Sequence, residues 1–163
     1  MTRPAIELLL IEDNPDDEEL ALLALGKHNP AHAIHVIRDG AEALEFLTRC
    51  SENRSDNPAG GRPKLILLDL KLPKVGGLEI LKFIKGHPAL RSIPVVVLTS
   101  SREDRDIIES YALGVNSYIV KPVTFEQLVD SVRQIGLYWL LLNQTPPPGN
   151  GYYPQDKHSQ GPA

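Results

Sequence analysis

Leu65-Ile66-Leu67-Leu68-Asp69-Leu70-Lys71-Leu72-Pro73, residues 65–73, is the stretch on which the fold turns. Four successive aliphatic residues are too few for a helix, and a run with no polar alternation fits a strand buried on both faces. The run stops at a carboxylate, and the Leu70 to Pro73 segment reads as a turn that projects Asp69 beyond the strand end.

Four further runs share this character: Ile6 to Ile11, Ala33 to Ile37, Val95 to Leu98 and Ser117 to Val120. All are rich in aliphatic and β-branched residues, as buried strands require. Between them Leu20 with Leu23, Leu44 with Leu47, Leu78 with Leu81, and Ile108 with Tyr111 recur at helical spacing beside charged residues, which predicts helices lying against the sheet. Strands alternating with helices predict an α/β fold with a parallel sheet and helices on both faces. Asn14-Pro15 offers a cap and an N1 proline to the first helix, and Gly26, Gly86 and Gly114 stand where a helix C-cap favours glycine.

A chain of 163 residues suits one well-developed core, and 42% hydrophobic with 23% charged residues argues against a disordered, fibrous or membrane protein. Residues 1–144 are expected to form that domain, with the Pro- and Gly-rich residues 145–163 as a tail and the polar segment Ser51 to Lys64 as a long connection. The net charge of −4, with no basic run interleaved with aromatics, disfavours direct nucleic-acid binding. The longest apolar run, Leu137 to Leu142, is far short of the ~20 residues that span a bilayer. Met1-Thr2-Arg3-Pro4 leads into the first strand without an export signal, and a single cysteine, Cys50, cannot form an internal disulfide. A cytoplasmic protein with an inert thiol is expected. His28, His32 and His35 lack the companions and spacing of a zinc site.

In open α/β sheets ligands gather beyond the carboxyl ends of the strands. There the sequence places Glu12-Asp13, Asp69, Thr99-Ser100 and Lys121-Pro122. Three converging carboxylates call for a cation, and oxygen-only ligation favours a hard ion such as Mg²⁺ at Glu12, Asp13 and Asp69. Lys121 would place a compact positive charge on a phosphate oxygen, the Thr99 hydroxyl could donate to another, and Asp69 is positioned to attack phosphorus.

Glu12-Asp13, the Leu68 to Pro73 turn with Gly76-Gly77, Thr99-Ser100, Tyr118 and Lys121-Pro122 together resemble the response-regulator receiver domain over roughly Ile6 to Asn143. The resemblance implies a doubly wound, flavodoxin-like sheet in the order 2-1-3-4-5. It implies that Asp69 accepts a phosphoryl group from a sensor histidine kinase, with Mg²⁺ held by Glu12, Asp13, Asp69 and the Lys71 backbone carbonyl. Thr99 and Tyr118 would be the switch pair, and the Lys121–Pro122 peptide would be cis at Pro122. The protein would be a phosphoacceptor rather than an enzyme, with at most weak autophosphatase activity. The Glu12 to Asp17 opening and the long second loop further resemble the single-domain regulators paired with bacterial and cyanobacterial phytochromes. Lys71 stands where many receivers carry Asn, which puts a cation beside the site.

Two other readings stand beside this one. A haloacid-dehalogenase-type phosphohydrolase also uses Asp, Thr or Ser, Lys and Mg²⁺, but it expects its nucleophile after the first strand and a second Asp two residues on, where this chain has Lys71. A pseudo-receiver acting as a binding module would not need Asp69, Thr99 and Lys121. Leu137 to Leu142 is apolar around nearly its whole circumference, which predicts a partner surface containing Tyr138, Trp139 and Leu142, the alternative being that the C-terminal tail folds back over it. By the resemblance, that partner is a second copy meeting through the fourth helix, fifth strand and fifth helix.

Overall fold

The structure, a computed structural model, describes residues 6–26, 33–52 and 62–145. Five parallel strands, β1 (Leu8–Ile11), β2 (Ile34–Ile37), β3 (Leu65–Leu68), β4 (Val95–Thr99) and β5 (Ser117–Val120), form one sheet in the order β2-β1-β3-β4-β5. Helices α1 (Pro15–Ala24), α2 (Gly40–Ser51), α3 (Gly77–Gly86), α4 (Asp104–Ala112) and α5 (Phe125–Gly136) join or follow them, and α5 runs into a π-helical extension, Leu137–Leu142. The α/β fold and strand order are those expected.

β1, β3 and β4 are buried along their whole length because both faces are covered. Leu8, Leu10, Leu65, Leu67, Val96 and Leu98 meet Ala21 of α1, Leu25 at its C-cap, and Leu128, Val132 and Ile135 from α5 on one face. Leu9, Ile11, Ile66, Leu68, Val95 and Val97 meet Phe46 and Leu47 of α2 and Ile80, Leu81 and Ile84 of α3 on the other. Register follows this alternation, with Ile11 opposite Ile37 on one side and Leu68 on the other. Consequently the strand ends lie level at one edge.

Several local expectations meet the structure directly. Asn14 caps α1 through bonds to the Asp16 and Asp17 N–H groups, and Pro15 is its first residue. Gly26 and Gly114 follow their helices at φ 73° and 98°, a conformation that favours glycine. Gly86 corrects the expectation, since α3 runs through it and ends at an extended His87.

The helical stripes of Leu20 with Leu23 and of Ile108 with Tyr111 also differ from expectation. Leu23, Ile108 and Tyr111 are exposed. α1 packs on both the sheet and α5, so its buried line runs through Ala21 and Leu25. α4 turns the small Ser110 inward and leaves the sheet contact to Leu113 and Val115 just beyond it.

Cys50 is buried on α2, and His35 of β2 stacks on Phe46 with ring centroids 4.8 Å apart. His28 and His32, most of the Ser51 to Lys64 connection and residues 146–163 lie outside the described residues. Among the described residues no helix is long and apolar enough to cross a membrane.

The Lys121–Pro122 peptide was expected to be cis and is trans; no cis bond occurs among the described residues. Trans is the more stable form even at proline, by about 0.5–1 kcal/mol. Lys121 reaches its partners from that geometry.

Candidate functional site

Hydrogen bonds extend the ladder one residue past the strands and so fix the site backbone. Glu12 N–H donates to Ile37 O at 3.0 Å, Asp69 N–H to Ile11 O at 3.0 Å, and Lys121 N–H to Thr99 O at 2.8 Å. Glu12, Asp69 and Thr99 are buried, while Asp13 is exposed. Behind Asp69, Gly77 opens α3 so close that a Cβ there would lie 2.4 Å from Asp69 O. That approach admits only glycine, and the Gly77 N–H donates to Leu70 O at 2.9 Å, which joins the segment carrying Asp69 to α3.

Glu12, Asp13 and Asp69 each present a carboxylate oxygen within 4.8 Å of the other two. All three donors are hard, anionic oxygens, and two come from buried side chains, so the set fits a hard divalent cation. Lys71 is exposed, and its N–H donates to Asp69 Oδ1 at 3.0 Å.

Lys121 Nζ lies 2.8 Å from Asp69 Oδ2, 2.9 Å from Glu12 Oε2 and 2.7 Å from Asp17 Oδ2. Asp17 and Asp69 accept hydrogen bonds from the ammonium, and Glu12 pairs with it by charge. Burial opposes the charge on Lys121, but bonds to Asp17, Asp69 and Glu12 outweigh it and hold the group above its ordinary range. Glu12 goes the other way for a related reason: burial, then repulsion from Asp69, pushes its carboxyl up to about 7 despite Lys121 and the Asn14 N–H. The surrounding carboxylates thus raise Lys121, whereas Glu12 is raised first by its own burial and only then by Asp69.

Glu12 consequently holds its proton more tightly in the folded chain than at its ordinary value of 4.5. Its contribution to stability is full below about pH 4.5 and is lost as pH rises through about 7. A difference of that size corresponds to about 3 kcal/mol. Urea unfolding of the metal-free protein across this window is expected to show the decline, Glu12→Gln to flatten it, and a divalent cation to offset it. An unchanged slope in Glu12→Gln would contradict the assignment.

At the neighbouring strand end, Ser101 forms a junction. Its N–H donates to Thr99 Oγ1 at 3.4 Å, its carbonyl accepts from Tyr118 OH at 3.0 Å, and its Oγ donates to Asp106 Oδ2 at 2.5 Å. Burial raises the Tyr118 pKa, with the Ser101 bond opposing and nearby carboxylates adding to it.

The structure thus gathers Glu12, Asp13, Asp69 and Lys121 at one point and links Thr99 to Tyr118 through Ser101. Reading by sequence missed Asp17, Ser101 and Asp106. For Asp17 a signal existed: an acid in the first turn of a helix that begins beside the acidic strand end.

The anticipated partner surface is divided. Tyr138 and Leu142 are exposed, as are Leu137 and Leu141, whereas Trp139 is half-buried against the α1/α5 face of the core. Tyr138 meets Trp139 edge-on at 5.0 Å.

Comparison with known proteins adds an independent line. The model of a family described as the response regulator receiver domain matches residues 8–133. The probable methanogenesis regulatory protein FilR2 of Methanothrix harundinacea is 44% identical over 143 residues, covering 86% of this chain and 88% of its own. Response regulator Rcp1 of Synechocystis is 40% identical over 139 residues, covering 85% and 92%. The Mn²⁺-bound form of Rcp1 superposes with a TM-score of 0.78 at 39% identity, covering 88% of this chain and all of that one. The phosphorylated cyanobacterial phytochrome response regulator RcpA superposes with a TM-score of 0.79 at 40% identity, with the same coverage.

Proposed function

Because the chain belongs to the response-regulator receiver family, we propose that it accepts a phosphoryl group from a sensor histidine kinase onto Asp69, with Mg²⁺ bound beside it. Receivers take phosphoryl groups from histidine kinases and act as signalling proteins rather than classical enzymes. The observation that carries the proposal is a buried carboxylate, Asp69, joined on one side to two further carboxylates and on the other to Lys121 at 2.8 Å. Glu12, Asp13, Asp69 and the Lys71 carbonyl would hold the cation. When bound, that cation supplies positive charge against the developing charge on the phosphoryl oxygens.

The chain's own residues do the rest. Gly77 and the bond from Asp69 N–H to Ile11 O hold the Asp69 backbone, and Lys121 provides a fixed positive charge for a phosphoryl oxygen. Thr99, drawn toward that group, would release Ser101 and with it Tyr118 and α4. The output is a changed affinity for a partner or for a second copy, through α4, β5, α5 and the exposed Tyr138 and Leu142, with Trp139 as support.

A phytochrome kinase is the proposed donor, because RcpA is a phytochrome response regulator at 40% identity. A cytoplasmic location accompanies that role. The hydrolase alternative has no support in the structure, where Lys71 occupies the position that chemistry needs for a second acid.

Intact-mass analysis after incubation with acetyl phosphate tests the proposal. A phosphoryl adduct is expected with Mg²⁺, lost on chelation and mapped to the peptide containing Asp69. No adduct, where a known receiver is labelled in parallel, would favour a constitutive binding module.

A further inference from the structure

Asp17 lies outside the acidic trio, yet it makes the shortest of the three carboxylate contacts to Lys121, at 2.7 Å. Its backbone is fixed, since Asn14 Oδ1 accepts from the Asp16 and Asp17 N–H groups at 2.9 and 3.2 Å. The carboxylate therefore reaches out from a rigid first turn to meet a lysine 104 residues away in sequence. With hydrogen bonds to Asp17 and Asp69 and Glu12 paired with it at 2.9 Å, Lys121 is turned toward carboxylates rather than toward a phosphoryl oxygen. A cation on Glu12, Asp13 and Asp69 would withdraw two of those acceptors. Asp17 would remain.

We propose that Asp17 is a positioning residue for phosphoryl transfer, keeping Lys121 Nζ tethered to α1 when a divalent cation takes Glu12 and Asp69, and leaving its other N–H groups for the phosphoryl oxygens. The inference rests on Asp69 being the phosphoacceptor. In that step an Asp69 oxygen bonds to phosphorus, the bond from phosphorus to the acetate oxygen of acetyl phosphate breaks, and acetate leaves with the electron pair. No proton changes hands, so Lys121 contributes charge and orientation alone. A flexible four-carbon stem does not hold orientation by itself, and a fixed carboxylate supplies it.

The test compares the natural protein with Asp17→Ala, Asp17→Asn and Asp17→Glu in two measurements. The first is the phosphorylation rate at saturating acetyl phosphate and Mg²⁺. The second, made without any phosphodonor, is the ¹H–¹⁵N signal of the Lys121 ammonium with and without Mg²⁺, visible only while the group is held in hydrogen bonds. The natural protein is expected to keep the signal on adding Mg²⁺. Asp17→Ala is expected to show it only without the metal and to be phosphorylated roughly 10-fold more slowly, with Asp17→Glu recovering part of the rate. Asp17→Asn keeps size and acceptor and should fall between, which covers the case in which the alanine variant does not fold. If the folded variants keep both the natural rate and the Mg²⁺-resistant signal, the role of Asp17 is wrong. A natural protein that takes up no phosphoryl group would instead sink the reading of Asp69 itself.

Discussion

Asp69→Asn is expected to take up no phosphoryl group from acetyl phosphate and, without metal at about pH 8, to unfold at higher urea than the natural protein. The first effect follows because an amide is not a nucleophile toward phosphorus. The second follows from charge. Asp69 is buried beside Glu12, and its repulsion is the second cause of the raised Glu12 pKa. Asparagine removes that repulsion and keeps one acceptor oxygen, enough for either the Lys71 N–H or Lys121, which bond to separate Asp69 oxygens. Lys121 retains Glu12 and Asp17. Relief of a like-charge contact of this kind amounts to about 1–2 kcal/mol. A variant both inactive and less stable would mean that Asp69 is a structural ion-pair partner first.

Lys121→Met is expected to be the most damaging single change. Methionine fills the space of the stem and leaves Glu12, Asp69 and Asp17 facing one another with no cation. Removing one partner from a buried ion pair costs about 3–5 kcal/mol. Lys121 and the Glu12 and Asp69 side chains are 10%, 4% and 6% exposed, so solvent screens little of that cost. The metal-free variant should therefore unfold readily at about pH 8 and recover when Mg²⁺ is added or the pH falls below about 6. The sign is fixed by Glu12, whose proton becomes harder to remove once Lys121 is gone. Phosphorylation of the Mg²⁺-rescued variant should fall roughly 100-fold, the usual loss for one transition-state charge contact. Equal stability of the two proteins without metal would show that the carboxylates do not depend on Lys121.

Strand ends were the legible part of this chain. A run such as Leu65 to Leu68 admits one reading when it stops at a carboxylate, and parallel strands bring all such stops to one edge. Thus the sequence alone brings Glu12, Asp69, Thr99 and Lys121 to that edge. Helix faces were less legible. Periodicity finds a stripe, as in Ile108 with Tyr111, but not whether the stripe faces the sheet or the solvent, and in α4 the buried side is marked by Ser110. Asp17 was missed because its partner is 104 residues distant, a relation no local pattern carries. Lys121 was identified by type and place. Its role without metal, neutralising three carboxylates, required the third dimension.

The Ser101 junction has a mechanical meaning. Three of its bonds pass through its amide, its carbonyl and its hydroxyl, so a buried threonine, an aromatic ring and the first turn of a helix share a single fulcrum. Under the proposed phosphoryl transfer, a shift of the Thr99 hydroxyl would act on Tyr118 and Asp106 through this one residue, and the surface that carries Ile108 and Tyr111 would receive it as one tilt.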